Sequence, residues 1–393
     1  MIGLRSGTVA VIGGSRLLGG SLRSDDSFFQ CDCSTLQRSP PTQDEDPSNK
    51  DSDTDRILAA AHSSSGRYFA LTDDRKRLVL FRTHPVWGRV SVRWVSRRCT
   101  AVTFSSCESY VLVADKSGDV FSFSVTNPQE EGRLELGHLS MLLDLAVTPD
   151  GRYIITCDRD EKIRVSLWEA PHVISAFCLG HTEFVSQLLA LPGPDNVLLS
   201  GSGDGTVRLW KYESGEEIHI CNLKDVPRPG DDEETQRFAV SRLSCSPGGE
   251  HLAVLCDGMS GVFLFSVSGG PSLTNTQYIS LPYVPLDVDF EDSASLWVLS
   301  GVKENPVELH RYNNSAWQPA PLDENAKRLS ETIGENWEQL EGAASPESRF
   351  SGLYKVVFDN MATYLMKKEA RLQSEKRKVP SGSGSAAVKV QKT

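Results

Sequence analysis

Short apolar runs of about four residues recur along the chain, and each is bounded by turns rich in Gly, Asp or Ser. Most of the runs contain β-branched or aromatic residues, and none is long enough for an ordinary helix, so the pattern predicts β-strands. The runs lie at residues 78–81, 110–113, 153–156, 197–199, 252–255 and 296–299. The chain is therefore predicted to be an all-β protein.

The segments around these runs are similar to one another. Four copies align at spacings of 42, 43 and 44 residues, and they lie at residues 73–81, 115–123, 158–166 and 202–210. A Gly-His pair also recurs, ending at His138 and at His181, each a little over twenty residues before a turn aspartate, Asp160 or Asp204. A period of about 40 to 45 residues with this signature is typical of the four-stranded blades of a β-propeller.

The fourth copy contains the residues for a buried hydrogen-bond chain that ties the strands of one blade together. Its members are His181, the hydroxyl of Ser200 or Ser202, Asp204 and Trp210. In the third copy we assign the corresponding structural roles to His138 and Asp160. A catalytic Ser-His-Asp set is the alternative, but a set that repeats from blade to blade is a device of the fold.

Counting the copies gives the number of blades. Six turns are recognised, near Asp73, Asp115, Asp158, Asp204, Asp257 and Gly301, and residues 8–31 supply strands for a seventh blade. We therefore predict a seven-bladed β-propeller over residues 1–320. Within it, residues 40–56 are predicted to be a disordered acidic loop, and residues 227–234 a shorter break of the same kind.

After residue 320 the pattern changes to a C-terminal helical, basic extension, predicted at residues 321–379 and followed by a flexible tail at 380–393. An amphipathic helix is predicted within residues 353–377, because apolar residues recur there at helical spacing. Its apolar stripe is expected to pack against the propeller. Its basic residues are either solvated or form an arm that contacts RNA phosphates: Lys367, Lys368, Arg371, Lys376, Arg377 and Lys378.

Composition and charge limit the classes of protein to which the chain can belong. The formal charge is −11, so the chain as a whole repels phosphate backbones, and any contact with nucleic acid must be local. No run approaches the roughly 18 apolar residues of a membrane-spanning helix, and the N-terminus is predicted to be a strand and not a signal peptide. Nine scattered cysteines favour buried free thiols in a reducing compartment over disulfides or a zinc site.

Basic residues are concentrated in the turns of three successive copies: Arg75, Lys76 and Arg77, then Lys116, then Arg159 and Lys162, with Arg164 following on the strand. Equivalent turns of adjacent blades lie side by side, so the pattern predicts a basic stripe that docks an acidic protein surface or a phosphate backbone. Arg97 and Arg98 extend the stripe. The alternative is ordinary solvated charge, partly neutralised by Asp158, Asp160 and Glu161.

No catalytic or metal-binding motif is recognised. The glycine pairs at residues 13–14 and 19–20 lack the spacing of a nucleotide-binding loop and the helix that follows one. A propeller enzyme would need acids or metal ligands that converge in the central channel, and the sequence offers no such set. We therefore predict a non-catalytic binding module that holds no cofactor or metal.

Residues 69–74, 113–120, 136–144 and 158–165 closely resemble the WD-repeat, non-catalytic subunit of the eukaryotic tRNA (guanine-N7-)-methyltransferase. The resemblance extends from about residue 57 to residue 372. It implies a scaffold that binds and stabilises the catalytic methyltransferase subunit as a heterodimer. That partner would hold S-adenosylmethionine and methylate N7 of a guanosine in the variable loop of tRNA, which the complex would bind. A nuclear location is also implied, with the cytoplasm as an alternative.

The partner-facing turns of that family correspond here to Lys116, Asp160, Glu161, Lys162 and Arg164, which coincide with the predicted stripe. A substrate receptor or general interaction scaffold of a ubiquitin ligase complex is the other candidate function. Such receptors often end a blade with Trp-Asp-x-Arg, whereas Trp210 is followed by Lys-Tyr-Glu. That difference argues against a ligase receptor, which is kept as the alternative function.

Overall fold

The computed structural model describes residues 1–24, 26–37, 54–193, 196–228, 237–267, 272–340, 348, 350–355, 361, 364–369 and 371. Their strands form seven four-stranded antiparallel sheets, and each sheet consists of four strands that are consecutive in the chain. The predicted seven-bladed β-propeller is confirmed. The first blade is built from the N-terminal strands, as the count of copies requires.

The blades follow one another in chain order. Blade 1 has β1 (Ile2–Arg5), β2 (Thr8–Gly13), β3 (Arg16–Ser21) and β4 (Phe29–Asp32); blade 2 has β5 (Ile57–His62), β6 (Tyr68–Asp73), β7 (Arg77–Arg82) and β8 (Gly88–Trp94). Blade 3 has β9 (Cys99–Phe104), β10 (Tyr110–Asp115), β11 (Asp119–Ser124) and β12 (Arg133–Gly137); blade 4 has β13 (Leu142–Val147), β14 (Tyr153–Asp158), β15 (Ile163–Leu167) and β16 (Ile174–Cys178).

Blade 5 has β17 (Val185–Ala190), β18 (Val197–Ser202), β19 (Thr206–Lys211) and β20 (Glu216–Asn222). Blade 6 has β21 (Val240–Cys245), β22 (His251–Cys256), β23 (Gly261–Val267) and β24 (Leu273–Ser280); blade 7 has β25 (Asp287–Phe290), β26 (Leu296–Leu299), β27 (Val307–Asn313) and β28 (Ala316–Ala320). The described helix of the compact body is α1 (Glu324–Glu335), and short 3-10 turns occur at Cys33–Thr35 and Leu223–Asp225.

The predicted apolar runs are central strands of the blades. One lies in β7, the third strand of blade 2, and the other five lie in second strands, namely β10, β14, β18, β22 and β26. All six residues of β14 and of β18 are buried, because neighbouring blades cover both faces of the sheet. This double burial explains why the runs are continuous instead of alternating between apolar and polar residues.

Contacts between blade 7 and blade 1 close the ring without an exchange of strands. The Asp287 carboxylate accepts a hydrogen bond from the backbone N–H of Ile2 at 2.8 Å, and Asp289 accepts one from Leu4 at 2.8 Å. These carboxylates satisfy N–H groups on the edge of β1 that pairs with no other strand in the described part of the chain. The seam is therefore held by charge-assisted hydrogen bonds from side chain to backbone.

Helix α1 covers the same seam. Asp323 caps its N-terminus by accepting a hydrogen bond from Ala326 N–H at 2.8 Å. Its buried face, which includes Leu329 and Ile333, packs in one apolar cluster with residues of blades 1 and 7 such as Val9 and Trp297. The sequence did not predict this helix. The boundary predicted at residue 320 is the end of β28, whereas the compact unit extends from Met1 to Tyr354.

The remaining C-terminal residues form a second unit, Lys355–Thr393. Residues 361, 364–369 and 371 are helical, and the apolar side chains of Met361, Tyr364 and Leu365 are exposed. Leu353 and Tyr354 were predicted to begin this helix but lie in a turn of the first unit and pack near Phe184. Residues 372–393, including the predicted tail, lie outside the described residues.

Residues 40–53 of the predicted acidic loop also lie outside the described residues, but its predicted end was wrong. Asp55 is buried, and its carboxylate lies 2.6 Å from the guanidinium of Arg77, which is 0% exposed. Burying Arg77 requires a countercharge, and Asp55 provides one together with Asp73. Of the second predicted break, residues 227 and 228 are described, and Arg228 stacks on Phe238 at 4.2 Å.

The hydrogen-bond chain of blade 5 is present in the structure. Trp210 Nε1–H donates to the Ser200 hydroxyl at 2.8 Å, and Ser200 lies 2.7 Å from His181 Nε2. His181 Nδ1 lies 2.9 Å from Asp204. Burial lowers the pKa of His181, which favours a neutral imidazole that donates from Nδ1 and accepts at Nε2. The hydroxyl is that of Ser200, while Ser202 bonds to the Glu183 carbonyl.

In blade 4 the structural aspartate is Asp158 and not Asp160, which corrects our assignment. His138 Nδ1 lies 3.0 Å from the Asp158 carboxylate, and His138 Nε2 lies 2.7 Å from Thr156 Oγ1. The Asp160 side chain is exposed. β14 and β18 end at aligned positions, Asp158 and Ser202, so the carboxylate that binds the histidine is at the strand end in blade 4 and two residues beyond it in blade 5.

We predict that Asp158→Ala and Asp204→Ala each lower the free energy of unfolding by about 1 to 3 kcal/mol, because each leaves a buried histidine without its partner. Asp160→Ala is the matched control and should change stability by less than about 0.5 kcal/mol, since its side chain is exposed. Denaturant unfolding of the three variants checks this. An Asp160 effect as large as that of Asp158 would restore the original assignment.

We also predict that Leu329→Ala destabilises the propeller by about 2 to 5 kcal/mol, the usual range for removing a leucine from a packed core. Leu329 is 0% exposed at the seam of blades 1 and 7. Leu365→Ala provides the control, because Leu365 is 49% exposed. Equal melting temperatures for the two variants would mean that α1 does not hold the seam.

Candidate functional site

The basic turns predicted from the sequence lie at one end of the propeller. There the hairpin loop between the second and third strands of a blade lies beside the loop that enters the blade. Lys116 N–H donates to the Arg98 carbonyl at 3.3 Å, and Arg159 N–H donates to the Met141 carbonyl at 3.0 Å. We define the loop face of blades 2 to 4 as the loops at residues 73–76, 97–98, 115–118, 138–141 and 158–162.

An aspartate at the end of the second strand shapes each of these hairpins. Asp115 accepts backbone hydrogen bonds from Ser117 and Asp119, and Asp158 accepts them from Asp160 and Lys162. The tight turns require a left-handed residue, which is Gly118 (φ 100°) in blade 3 and Glu161 (φ 71°) in blade 4. Because the carboxylate fixes the turn, the side chains between its ends point away from the blade.

Four of the six predicted partner-binding residues are exposed on this face: Arg97, Lys116, Asp160 and Lys162. Glu161 is half-buried. The loops of neighbouring blades are joined, since Arg98 Nε donates to the Asp74 carbonyl at 3.1 Å between blades 3 and 2. The exposed charges therefore belong to a continuous surface that spans adjacent blades and contains both signs of charge.

The sixth residue, Arg164, does not belong to this surface, which corrects our prediction. Its side chain is 9% exposed, and its guanidinium donates to Ser166 Oγ at 2.9 Å, to the Gly137 carbonyl at 3.0 Å and to the Pro171 carbonyl at 3.0 Å. Burial lowers the pKa of Arg164. Arg164 lies on β15 behind the turn, where it binds the end of β12 in blade 3 and the connection between β15 and β16.

Other members of the predicted stripe are also engaged within the chain. Arg77 is buried between Asp73 and Asp55. Arg75 is half-buried, with Nε 3.6 Å from Asp55. Arg159 is exposed, but its guanidinium lies 3.4 Å from the carbonyls of residues 352 and 353. Fewer basic side chains of the stripe are therefore available to a partner than the sequence indicated.

Leu139 is a feature of the loop face that the sequence did not reveal. It follows His138 in the loop that enters blade 4, and its side chain is 109% exposed. An isolated exposed leucine is ordinary, but this one lies among charged turns, where an apolar anchor is surrounded by a polar rim. No spacing in the sequence distinguishes it from the buried leucines nearby.

The predicted RNA-binding residues are only partly described. Lys367, Lys368 and Arg371 are helical and exposed. Positions 367 and 371 are four residues apart, so they share one face of the helix. Lys376, Arg377 and Lys378 lie outside the described residues.

The N-terminal glycines serve close packing. A Cβ atom on Gly13 would lie 1.9 Å from the Leu340 carbonyl oxygen, and one on Gly19 would lie 2.7 Å from the Trp87 ring. Gly13 lies in β2 and Gly19 in β3, and these two strands form an antiparallel hairpin. Among the described residues, no group of three His, Cys, Asp or Glu side chains is placed to hold a metal ion. No helix in the described part of the chain is long and apolar enough to span a membrane.

Comparison with known proteins agrees with this architecture. A family model for the tRNA methyltransferase TRM82 WD40 domain matches residues 30–135 and 124–320. A chain of the crystal structure of the Mitotic Checkpoint Complex has a TM-score of 0.59 at 14% identity, covering 76% of this chain and 86% of that one. At that identity the structural similarity supports the fold alone.

Several curated relatives are much more similar. The tRNA (guanine-N(7)-)-methyltransferase non-catalytic subunit wdr4 of Xenopus laevis is 61% identical over 394 residues and covers 100% of both chains. The WDR4 subunits of Mus musculus and Homo sapiens are each 48% identical over 92% of this chain, and the matches cover 89% and 88% of those relatives. The chain therefore belongs to the family of WD-repeat, non-catalytic subunits of the tRNA (guanine-N7-)-methyltransferase.

Proposed function

We propose that this chain is the scaffold that binds and stabilises the catalytic subunit of the tRNA (guanine-N7-)-methyltransferase. The enzyme so formed would methylate N7 of a guanosine in the variable loop of tRNA. The observation that carries the proposal is the loop face of blades 2 to 4, where exposed charges of both signs surround the exposed Leu139. The names of the relatives, which are subunits without catalytic function, support the need for a catalytic partner.

The loop face suits a protein partner better than a nucleic acid. Lys116, Lys162 and Arg97 alternate with Asp160 and Glu161, and a mixed pattern of this kind selects a complementary mixed surface. A phosphate backbone would meet the acidic side chains at the same place. The rigid turns also lower the entropy lost on binding, because their backbone is already held by Asp115 and Asp158.

Binding of tRNA is assigned to the complex, with help from the basic C-terminal segment. Residues 366–393 contain eight Lys or Arg and two Glu, a net charge of +6 in a chain of −11. Lys367, Lys368 and Arg371 begin this segment on an exposed helix. S-adenosylmethionine belongs on the partner in this proposal, and the assembled heterodimer would act in the nucleus.

We predict that Lys116→Glu combined with Lys162→Glu reduces co-purification of the catalytic subunit at least tenfold at unchanged melting temperature. Both side chains are exposed, so the change opposes a docked partner without disturbing the core. Lys303→Glu is the matched control, because Lys303 is exposed in the equivalent loop of blade 7. If the double variant is folded and binds the catalytic subunit as well as the wild type does, the partner binds at another surface.

Arg164 should behave differently from these lysines. Arg164→Ala is expected to lower the free energy of unfolding by roughly 1 to 3 kcal/mol, since the buried Ser166 hydroxyl and two partly buried carbonyls lose their donor. Partner binding should then fall only in proportion to the unfolded fraction. Thermal melting measured beside co-purification separates the two cases. Lost binding at unchanged stability would return Arg164 to the interface.

We predict that removing residues 366–393 leaves the heterodimer intact but weakens its binding to tRNA and flattens the dependence of affinity on salt. Each lost phosphate contact removes roughly one counterion from the slope of log affinity against log salt. Filter binding of the assembled complex across a salt series measures that slope. A slope equal to that of the full-length complex would identify the segment as a solvated tail.

A further inference from the structure

A groove of about 520 Å³ lies between blades 2 and 3. One wall is residues 90–96, which include most of β8, the outermost strand of blade 2. The other wall consists of Phe121 and Phe123 of β11 and of residues 128–132, which connect β11 to β12. None of these residues belongs to the loop face, and the volume is within the range of about 300 to 1,000 Å³ of pockets that bind ligands.

Arg93 lies in this groove and is held in one orientation. Its side chain is 7% exposed, Nη1 donates to the Ser124 carbonyl at 2.7 Å, and the guanidinium lies 5.2 Å from the centre of the Phe123 ring. The other edge of the guanidinium, formed by Nε and Nη2, is buried with no hydrogen-bond partner among the described residues. The Ser91 hydroxyl, two residues earlier in the strand, is in the same condition.

Unpaired donors of this kind are expensive. A buried polar group without a partner costs about 1 to 3 kcal/mol, and a charged one costs more. Burial lowers the pKa of Arg93, so the surroundings themselves disfavour the charge. By contrast, Arg77 in the same blade is buried with two carboxylates. Arg93 therefore has an unfilled requirement for an anion that Arg77 does not have.

The shape of the unpaired edge specifies the anion. The Nε–H and Nη2–H bonds of a guanidinium are parallel, and together they match the two oxygens of a carboxylate. The hydroxyl of Ser91 lies on the same face of β8 and can donate a further hydrogen bond, since positions i and i+2 of a strand share a face. The site is thus a preformed fork with a neighbouring hydroxyl.

The rest of the groove specifies what carries the carboxylate. Phe121, Val90 and Trp94 supply apolar lining, and the exposed side chains of Glu130 and Glu131 make the rim acidic. A phosphate backbone would be repelled by that rim and by the net charge of −11. A peptide with one acidic residue between apolar and basic residues satisfies all three features.

We propose that the groove between blades 2 and 3 binds an extended segment of a protein partner, whose single carboxylate is received by the Nε–Nη2 edge of Arg93. The proposal does not rest on the proposed function, because it concerns a surface outside the loop face. It gives the propeller a second protein-binding site with a defined chemistry: a carboxylate in the fork, apolar neighbours on the aromatic wall and basic flanks against Glu130 and Glu131.

The test begins with the full-length chain and a library of hexapeptides that are acetylated and amidated, so that no terminal charge contributes. Selection should enrich Asp or Glu at one position, with apolar and basic residues beside it. Calorimetry then compares the selected peptide with its twin in which the acid is replaced by its amide. The amide twin should bind at least tenfold more weakly, because it keeps the shape and loses the charge.

Variants of the chain locate the site. Arg93→Gln should weaken binding of the acidic peptide at least tenfold. Arg89 is exposed on the same strand, and Arg89→Gln should leave the affinity for the peptide unchanged. Glu130→Lys with Glu131→Lys should remove the preference for basic flanks while the preference for the acid remains. If Arg93→Gln fails to fold, the Nε–H NMR signal of Arg93 in the wild-type chain should still move on addition of the peptide and not of its amide twin.

Three results would overturn the proposal. The first is a library selection without any acidic preference, and the second is an acidic peptide that binds Arg93→Gln as well as the wild type. The third is displacement of the peptide by a uridine hexanucleotide at equal concentration, which would mean that the fork serves a phosphate backbone.

Discussion

The aspartate at the end of the second strand is the residue on which the rest of each central blade depends. Its carboxylate accepts the backbone N–H groups of the following turn, as Asp115 and Asp158 do, and Asp158 also holds His138. One buried charge thus fixes the hairpin, the loop that enters the blade and the direction of the exposed side chains between them. In blade 5 the same role belongs to Asp204, which lies two residues beyond the end of β18. Burial alone would raise the pKa of Asp204, but hydrogen bonds from His181 and Thr206 outweigh that effect and lower it.

The ring depends on a different set of carboxylates. Blades 1 and 7 are far apart in sequence, and each sheet consists of its own four consecutive strands, so among the described residues they share no strand. Asp287 and Asp289 bind the edge of β1 instead, and α1 seals the apolar side of the same seam. The rigidity of the loop face of blades 2 to 4 therefore depends on the seam between blades 1 and 7, because an open ring would let neighbouring blades shift.

The sequence predicted what repeats and missed what occurs once. The strands, the blades and the hydrogen-bond chain of blade 5 follow from local periodicity, so they could be predicted from a single sequence. Helix α1 depends on contacts with blades 1 and 7, and the burial of Asp55 depends on its ion pair with Arg77, 22 residues away; no local pattern indicates either. The error at Asp160 arose because the alignment matches Asp160 with Asp204, whereas the hydrogen bond to His138 comes from Asp158, two residues earlier.

Buried arginines show why a stripe of basic residues cannot be assigned to function by position alone. Arg77, Arg93 and Arg164 all lie on strands of blades 2 and 4, and their sequence contexts do not separate them. Counting the acceptors around each guanidinium separates them: Arg77 meets two carboxylates and the Leu36 carbonyl, Arg164 meets three neutral acceptors, and Arg93 meets one. A guanidinium whose donors are satisfied within the fold stabilises the fold, while one with an unpaired, oriented edge can still gain hydrogen bonds from a ligand.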